Sequence, residues 1–335
     1  MADQLRFVII GSGNIANTYV EALRKLPEAR LVGIVSRSGK RPSKLGEATG
    51  VEVRAGLREI TAPFDAVIVA TPNGLHHEGI EEAAALGRHV LTEKPLEISL
   101  KAADRSIAAC RKAGVSLGVS FQRRMSPDNA AVKALLAAGK LGRIYAADLS
   151  VKFFRDQAYY DSAPYRGGWK IDGGGPFMQQ ACHQLDLYLW FFGKPRAVKS
   201  FTATLAHRME AEDHGAVVLR HEGGMIGSIV ASTVAKPGFP PRFEIHGEAG
   251  SFVMENDLIT RWMVDGVENP SHAPAAAIHS GAGAAGAVVS DTAGHEAIIM
   301  DFIRAVGEHR PPAVTGEDAR LTTELILQIY QAARK

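Results

Sequence analysis

The chain has 335 residues, of which 46% are hydrophobic and 22% charged, and its formal net charge at neutral pH is +2. This length suits about two domains, and the composition is typical of a globular protein rather than of a disordered or fibrous one. A charge balance so close to zero, with no long run of like charge, disfavours nucleic-acid binding. The two cysteines, Cys110 and Cys182, predict neither a disulfide framework nor a cysteine-rich metal site.

The sequence shows no feature that would place the protein in or across a membrane. Its longest apolar stretches are too short to span a bilayer, and its N-terminus passes into a predicted strand without the pattern of a secretion signal. We therefore expect a cytoplasmic protein without a membrane partner.

Up to Phe121, short apolar runs alternate with amphipathic segments. Strands are predicted at 5–10, 31–35, 66–70, 89–91 and 115–119, and helices at 15–26, 78–86 and 100–112. Strands and helices that alternate with short connections predict a parallel sheet covered by helices on both faces. Residues 1–122 are therefore expected to form an α/β domain.

After Phe121 the strands become longer and closer together. They are predicted at 144–154, 197–205, 215–220, 225–232 and 242–247, and turn sequences at 222–224 and 247–250 predict antiparallel hairpins. An apolar helix is predicted at 177–192, a loop in the Ala- and Gly-rich stretch 273–287, and terminal helices at 295–307 and 316–334. Residues 123–335 are therefore expected to form an α+β domain with a large, mostly antiparallel open sheet.

A glycine-rich turn joins the first predicted strand to the first helix. The sequence GSGNIA from Gly11 to Ala16 has the G-x-G-x-x-A spacing. Gly11 permits a tight turn, and Gly13 lets the backbone approach a pyrophosphate. The N–H groups at the start of the helix, around Asn14 and Ile15, favour the negative charge of phosphates. The turn predicts a dinucleotide site, and an ordinary strand-to-helix turn is the alternative.

The residues after the second strand bear on which dinucleotide binds. NAD sites usually have an acid here for the ribose 2′-hydroxyl, and this chain has none. Ser36 and Ser38 can donate hydrogen bonds to a 2′-phosphate, and Arg37 can pair with it. Lys40 and Arg41 add positive charge. These residues favour NADP over NAD, and a solvated basic loop is the alternative.

Two more motifs follow predicted parallel strands at their carboxyl ends, where open α/β sheets bind ligands. The first is TPNGLH, from Thr71 to His76, and the second is Glu93-Lys94-Pro95. A cis bond before Pro95 would fix the position of Lys94. Together with the glycine turn, these motifs resemble the glucose–fructose oxidoreductase, inositol dehydrogenase and rhizopine-catabolism (Gfo/Idh/MocA) family. The resemblance covers nearly the whole chain.

The resemblance implies a Rossmann domain, an NAD(P)-dependent oxidoreductase activity, and Lys94 and His183 as catalytic residues. Gln179 stands where the family usually has an aspartate, and Ala181 where it usually has a glycine. Besides the glycine turn, Ser36 and Arg37, the residues expected to contact the cofactor are Thr71, Pro72, Asn73, His76, Glu93, Lys94, Gln122, Arg123 and Trp169.

The spacing of three polar residues predicts a substrate site on the apolar helix. Gln179, His183 and Asp186 are separated by four and three residues, which places them on one helix face. A polar strip on an apolar helix needs partners or a ligand. Gln179 is expected to bind substrate, while Asp186 is expected either to bind substrate or to form a structural hydrogen bond. The resemblance also implies that Tyr165 and Asp172 line the substrate pocket. For these two residues, as for Gln122, Arg123 and Trp169, a packing or surface role is the alternative.

The predicted function is hydride transfer between a nicotinamide and a sugar, cyclitol or related polyhydroxy substrate. One alternative is a catalytically silent relative that senses a cofactor or sugar, and another is an NADPH-dependent reductase of other carbonyls or diols. No metal is expected, because the histidines lack metal-ligand spacing. A homo-dimer or homo-tetramer is expected to form through the open sheet, with Val151, Phe153, Val217 and Leu219 on its exposed face.

Overall fold

The structure is a computed structural model that describes residues 4–39, 41–45, 50–271 and 292–334. The chain divides into two compact units, one made of residues 1–122 and 288–323 and the other of residues 123–287 and 324–335. The predicted division into 1–122 and 123–335 therefore misplaces residues 288–323, which belong with the first unit. Lys40 and the loop predicted at 273–287 lie outside the described residues.

The strands and helices follow in chain order as β1 (Leu5–Ile10), α1 (Asn14–Lys25), β2 (Ala29–Val35), β3 (Glu52–Arg54), β4 (Ala66–Val69), α2 (His76–Ala85), β5 (His89–Thr92), α3 (Leu100–Ala113), β6 (Leu117–Val119), α4 (Pro127–Ala137), β7 (Ile144–Lys152), α5 (Gln157–Asp161), α6 (Pro176–Gln179), α7 (Cys182–Phe192), β8 (Ala197–Ala203), β9 (His214–Arg220), β10 (Ile226–Ser232), β11 (Arg242–Gly247), β12 (Gly250–Glu255), β13 (Leu258–Val264), α8 (Ala293–Gly307) and α9 (Gly316–Ala333). The sequence did not predict β3, β12, β13, α4 or α5. No helix in the described ranges is both long enough and apolar enough to span a bilayer.

The first unit is built on a six-stranded sheet in the order β3-β2-β1-β4-β5-β6. Every neighbouring pair is parallel, as the alternation of strands and helices predicted. The direction of strand order reverses between β1 and β4. In doubly wound sheets, ligands bind beyond the carboxyl ends of the strands at such a reversal. The glycine turn and the TPNGLH motif follow these two strands.

The helix α8 belongs to this unit because its apolar side chains complete the core. Ile299 and Phe302 are buried in the same cluster as Phe7 and Tyr19. The Phe302 ring lies 6.5 Å from that of Phe7, and a side chain at Gly118 would place its Cβ 3.0 Å from Phe302. Each large side chain buried in this way contributes roughly 1.5 to 3 kcal/mol. Such packing is not encoded in the local sequence of α8.

The second unit is built on a seven-stranded sheet in the order β13-β12-β11-β7-β10-β9-β8. Only β7 and β10 run parallel, and the other five pairs are antiparallel. The predicted hairpin at residues 247–250 joins β11 to β12. The helix α7 packs against β7, and α7 thereby covers one face of the sheet. The predicted α+β fold with a mostly antiparallel sheet is confirmed.

The prediction of which residues lie on the open sheet face is wrong. Val151, Phe153, Val217 and Leu219 are all buried in the core. The exposed face instead carries four large apolar side chains, namely Phe201, Val218, Ile226 and Met263. Side chains alternate between the two faces of a strand, so a one-residue error in assigning the inward positions exchanges the faces entirely.

Candidate active site

The glycine turn after β1 has the geometry that a dinucleotide needs. Gly11 has a φ of +122°, and a Cβ there would lie 2.4 Å from the carbonyl oxygen of Ala70, so only glycine fits. A Cβ on Gly13 would meet no atom of the described residues within 4 Å, so this glycine leaves open space over the start of α1. The first turn of α1 has no acidic residue and no side-chain cap. Its N–H groups are therefore suited to bind phosphate oxygens, and the residues fit a dinucleotide.

Serine hydroxyls line the end of β2, where an adenosine ribose is expected. The Ser36 hydroxyl is buried, lying 3.0 Å from that of Ser12 and 3.4 Å from that of Ser38. Arg37 is largely exposed and pairs with Glu78 of α2 at 2.5 Å. No pattern in the sequence predicts this Glu78 partner, which would compete with a 2′-phosphate for the guanidinium. The choice between NADP and NAD stays a prediction.

The side chain of Glu93 holds the backbone at Lys94. Its Oε1 accepts a hydrogen bond of 2.8 Å from the Tyr19 hydroxyl, and its Oε2 accepts one of 3.0 Å from the backbone N–H of Lys94. His295 Nε2 lies 3.6 Å from Oε1, which is an electrostatic contact rather than a hydrogen bond. Burial alone would raise the pKa of Glu93, but interactions with His295, Lys94 and Tyr19 outweigh burial and lower it.

Glu93 therefore serves as a support for Lys94 rather than as the cofactor contact that was predicted. Both of its carboxylate oxygens are engaged by groups of the first unit, and its side chain is buried. Lys94 itself is partly exposed, at the carboxyl end of β5. The peptide bond between Lys94 and Pro95 is cis.

His76 also braces the backbone instead of facing a ligand. Its ring is fully buried, with Nδ1 2.8 Å from the Pro95 carbonyl and Nε2 2.9 Å from that of Thr71. Burial lowers the pKa of His76. Both nitrogens face backbone carbonyls and a neutral ring donates to one of them, so the predicted cofactor contact by His76 is not supported. Pro72 and Asn73 are half-buried at the same strand end, and the Thr71 hydroxyl is buried without a hydrogen-bond partner among the described residues.

The predicted helix 177–192 is two helices in the structure, and the break falls between Gln179 and His183. The helix α6 ends at Gln179, and α7 begins at Cys182. The N–H of Ala181 donates to the carbonyl of Pro176, five residues back, at 2.8 Å, which widens the turn. Irregular helical turns of this kind are frequent at functional sites. Gln179 and His183 therefore do not lie on one continuous helix face, and that prediction is wrong.

A short loop before α6 fixes Gln179. The side-chain amide nitrogen of Gln179 donates to the backbone carbonyl of Asp172 at 2.8 Å. The carboxylate of Asp172 accepts from the backbone N–H of Gly167 at 2.9 Å. Asp172 is buried. These bonds give Asp172 a role in building the loop, which the prediction of a pocket-lining residue did not include.

Asp186 forms a buried ion pair. Its two carboxylate oxygens accept hydrogen bonds of 2.7 Å each from the Nε and an Nη of Arg124. The Arg124 side chain is 7% exposed and that of Asp186 1%. Of the two expected roles of Asp186, the structural one describes this geometry, and its assignment to substrate binding is corrected.

Gln122 and Arg123, at the predicted domain boundary, differ in the hydrogen bonds that their side chains form among the described residues. Arg123 forms a hydrogen-bonded ion pair with Asp257 inside the second unit. In the first unit, Gln122 Oε1 is buried and has no hydrogen-bond partner in the described part of the chain. An unsatisfied buried acceptor of this kind calls for a donor. The predicted cofactor contact of Gln122 stays a prediction, whereas the charge of Arg123 is already compensated.

The two aromatic residues predicted at the site lie in the loop before α6. Trp169 is 38% exposed, its ring packs edge-on against that of Tyr330 at 5.0 Å, and its indole N–H donates to the carbonyl of Glu210 at 3.2 Å. Tyr165 is half-buried, and its carbonyl accepts from the N–H of Gly168 at 3.2 Å. The predicted cofactor contact of Trp169 and substrate contact of Tyr165 stay predictions.

Two family models together match most of the chain. Residues 5–121 match the model of an oxidoreductase family with an NAD-binding Rossmann fold, and residues 129–253 match the GFO/IDH/MocA C-terminal domain. The chain belongs to the Gfo/Idh/MocA oxidoreductase family.

Relatives with known names extend over nearly the whole chain. The WlbA dehydrogenase from Bordetella pertussis, solved in complex with NADH and UDP-GlcNAcA, is 31% identical, with a TM-score of 0.87 and coverage of 99% of this chain and 97% of that chain. The 1,5-anhydro-D-fructose reductase of Ensifer adhaerens is 26% identical over 98% of this chain and 96% of its own length. The myo-inositol 2-dehydrogenase of Thermotoga maritima is 26% identical over 99% and 96%. The predictions of the family and of an NAD(P)-dependent oxidoreductase are confirmed.

The triple glycine Gly173-Gly174-Gly175, directly before α6, lies beside a carboxyl group that the sequence did not predict. The carboxylate of Glu212 accepts the N–H groups of Gly175 at 3.0 Å and Phe177 at 3.2 Å, and also the Tyr330 hydroxyl at 3.0 Å. A Cβ on Gly174 would lie 2.1 Å from the Tyr330 oxygen, and one on Gly175 would lie 1.7 Å from the Glu212 carbonyl. The glycines are therefore required by close packing at the start of α6.

Burial raises the pKa of Glu212 to about 7, although its hydrogen bonds act in the opposite direction. This carboxyl group caps the helix that ends at Gln179. No local motif marks it, because Glu212 lies far along the chain from the residues it contacts.

Proposed function

We propose that the protein transfers a hydride between C4 of a nicotinamide and a carbinol or carbonyl carbon of a sugar, cyclitol or related polyhydroxy compound. The observation that carries this proposal is the support of Lys94 at the end of β5 by the buried Glu93, in a sheet whose glycine turn fits a dinucleotide. Relatives along the whole chain are named as dehydrogenases or reductases of such compounds. The nicotinamide, when bound, supplies or accepts the hydride.

The protein's own side chains bind the reacting oxygen of the substrate and transfer its proton. Lys94 donates a hydrogen bond to the reacting oxygen and stabilises the negative charge that develops there. His183, in the first turn of α7, takes the hydroxyl proton in oxidation and returns it in reduction. Gln179 orients the substrate through its amide.

We further propose that NADP is preferred over NAD. The buried Ser36, with its linked hydroxyl neighbours, can donate to a 2′-phosphate, and no acid stands at the end of β2. Arg37 must exchange its exposed partner Glu78 for the phosphate, which costs little because exposed ion pairs contribute only about 0 to 1 kcal/mol.

The remaining assignments concern the whole protein. The first unit binds the cofactor and the second unit binds the substrate. The exposed sheet face that carries Phe201, Val218, Ile226 and Met263 pairs with a second copy in a homo-dimer or homo-tetramer. The protein works in the cytoplasm on a small molecule and binds neither nucleic acid nor membrane.

A second candidate is a catalytically silent relative that senses cofactor or sugar. It is favoured by Gln179, which replaces an anionic partner of His183 and uses its amide nitrogen on the carbonyl of Asp172. Such a protein would bind the cofactor without turning over any substrate.

Turnover of a panel of polyols and sugars, followed by nicotinamide absorbance, tests both candidates. Lys94→Met is expected to lower kcat by about 100-fold or more and to leave the dissociation constant of the cofactor nearly unchanged. Lys112→Met, at an exposed position of α3, is the matched control. Cofactor binding without any turnover would support the sensor, and full activity of both Lys94→Met and His183→Ala would refute the assigned catalytic residues.

A further inference from the structure

Within the described residues, no carboxylate forms an ion pair with Arg166. Its side chain is partly buried, and its Nε is buried with no hydrogen-bond partner within the described ranges. None of the ion pairs formed among the described residues includes Arg166. A guanidinium that has lost water on one side and gained no anion interacts more strongly with an incoming anion than a fully solvated one does.

Stacking holds this guanidinium in place. The Arg166 guanidinium carbon lies 4.5 Å from the centre of the Tyr159 ring, and that of Arg155 lies 5.3 Å from the same ring. The backbone N–H of Arg166 donates to the backbone carbonyl of Ala163 at 3.1 Å, and this bond closes a turn. A guanidinium fixed by an aromatic ring and a turn loses little entropy when it binds an anion.

The same aromatic ring connects Arg166 to the break between α6 and α7. The Tyr159 hydroxyl lies 3.4 Å from the side-chain nitrogen Nε2 of Gln180, the residue directly after Gln179. The side-chain oxygen of Gln180 is buried and lacks a hydrogen-bond partner in the described part of the chain. Arg166 is thus one aromatic ring away from the segment that carries the proposed substrate residues Gln179 and His183.

The acids that lie nearest along the chain are engaged elsewhere. Asp161 accepts from the side chain of Gln157 at 2.9 Å, Asp172 accepts the backbone N–H of Gly167 at 2.9 Å, and Asp156 accepts the backbone N–H of Tyr159 at 2.9 Å. Glu210, in the neighbouring loop, accepts the N–H of Trp169 at 3.2 Å. Among the described residues, none of these acids forms an ion pair with Arg166, and Asp161 lies 3.9 Å from Arg208 instead.

We propose that Arg166 is a specificity-determining residue that binds an anionic group, either a carboxylate or a phosphate, on the polyhydroxy substrate. This inference rests on the proposed oxidoreductase function, because it concerns the substrate of the same site. A guanidinium recognises both anions through paired N–H donors, and a neutral polyol offers no such partner.

Matched probes separate the two sources of negative charge. Binding by calorimetry and turnover with NADP or NAD are measured for D-glucuronate, its neutral analogue D-glucuronamide, D-glucose 6-phosphate and D-glucose. We expect one anionic probe to bind at least tenfold more tightly than its neutral counterpart. Arg166→Gln should remove about 10- to 100-fold of that affinity and leave neutral probes unaffected, Arg166→Lys should restore part of it, and Arg208→Gln, an exposed control, should change neither.

The outcomes distinguish this inference from the proposed function. Anion binding that depends on Arg166 but leads to no turnover supports the inference and counts against the oxidoreductase proposal. Turnover of neutral polyols with no preference for an anionic probe overturns the inference and leaves that proposal standing. Equal losses for charged and neutral probes in Arg166→Gln, or no binding of either anionic probe, also overturn it.

Discussion

The ion pair between Arg124 and Asp186 decides whether Asp186 serves stability or substrate binding. Asp186→Asn keeps the shape of the side chain but leaves the Arg124 guanidinium, only 7% exposed, facing a neutral amide. Removing one member of a buried ion pair costs about 3 to 5 kcal/mol, because the remaining charge stays out of water. Both hydrogen bonds are 2.7 Å and the geometry is bidentate, so we expect the upper part of that range.

The loss of stability is measured by urea unfolding and by thermal denaturation. For a chain of this size we expect the Tm to fall by on the order of 10 °C. The double variant Arg124→Met with Asp186→Leu should recover most of that loss, since an apolar pair of similar volume removes both buried charges. Methionine also retains some contact with Trp190, which the guanidinium covers at 5.4 Å. Glu324→Gln, which breaks the more exposed pair with Lys194, should cost less than about 1 kcal/mol.

Measuring KM for the Asp186→Asn variant tests the alternative, in which Asp186 binds substrate. An Asp186→Asn variant as stable as the wild type, with KM for substrate raised tenfold or more, would refute the structural role and restore Asp186 as a substrate ligand. A destabilised variant whose folded fraction keeps its KM agrees with the ion pair.

Three further predictions follow from the cofactor site, the open sheet face and the triple glycine. Ser36→Asp should shift preference from NADP to NAD, and tighter binding of NAD than of NADP by the unmodified protein in calorimetry would contradict the assignment. Phe201, 84% exposed, lies on the proposed interface, so Phe201→Glu should convert the oligomer to monomers in sedimentation with an unchanged circular dichroism spectrum; a monomeric wild type at micromolar concentration rules the interface out. Burial raises the pKa of Glu212 from 4.5 to about 7, so its contribution to stability is full below pH 4.5 and is lost as the pH rises toward 7, on the order of 3 kcal/mol. Glu212→Gln should flatten that part of the curve of unfolding free energy against pH, and an unchanged curve would show that Glu212 does not titrate there.

Local spacing in the sequence was enough to predict the parallel sheet of the first unit, the turn at Gly11 and the strand ends at Thr71 and Glu93. A strand needs only a short apolar run, and a phosphate-binding turn needs only glycines at fixed intervals between a strand and a helix. The sequence also placed Lys94 at the end of a strand, and β5 ends immediately before Glu93. These features depend on residues within a few positions of each other.

Contacts between distant parts of the chain decided the rest. Arg124 lies 62 residues from Asp186, and the Tyr330 hydroxyl reaches Glu212 across 118 residues, so no local pattern could assign these partners. The division of the sheet into a buried and an open face depended on which side α7 covers, which the alternation of side chains leaves undetermined. The helix break before His183 arose where close packing and capping by Glu212 fix the start of α6. Sequence periodicity thus determined which elements form, and tertiary packing determined which side chains they present and to what.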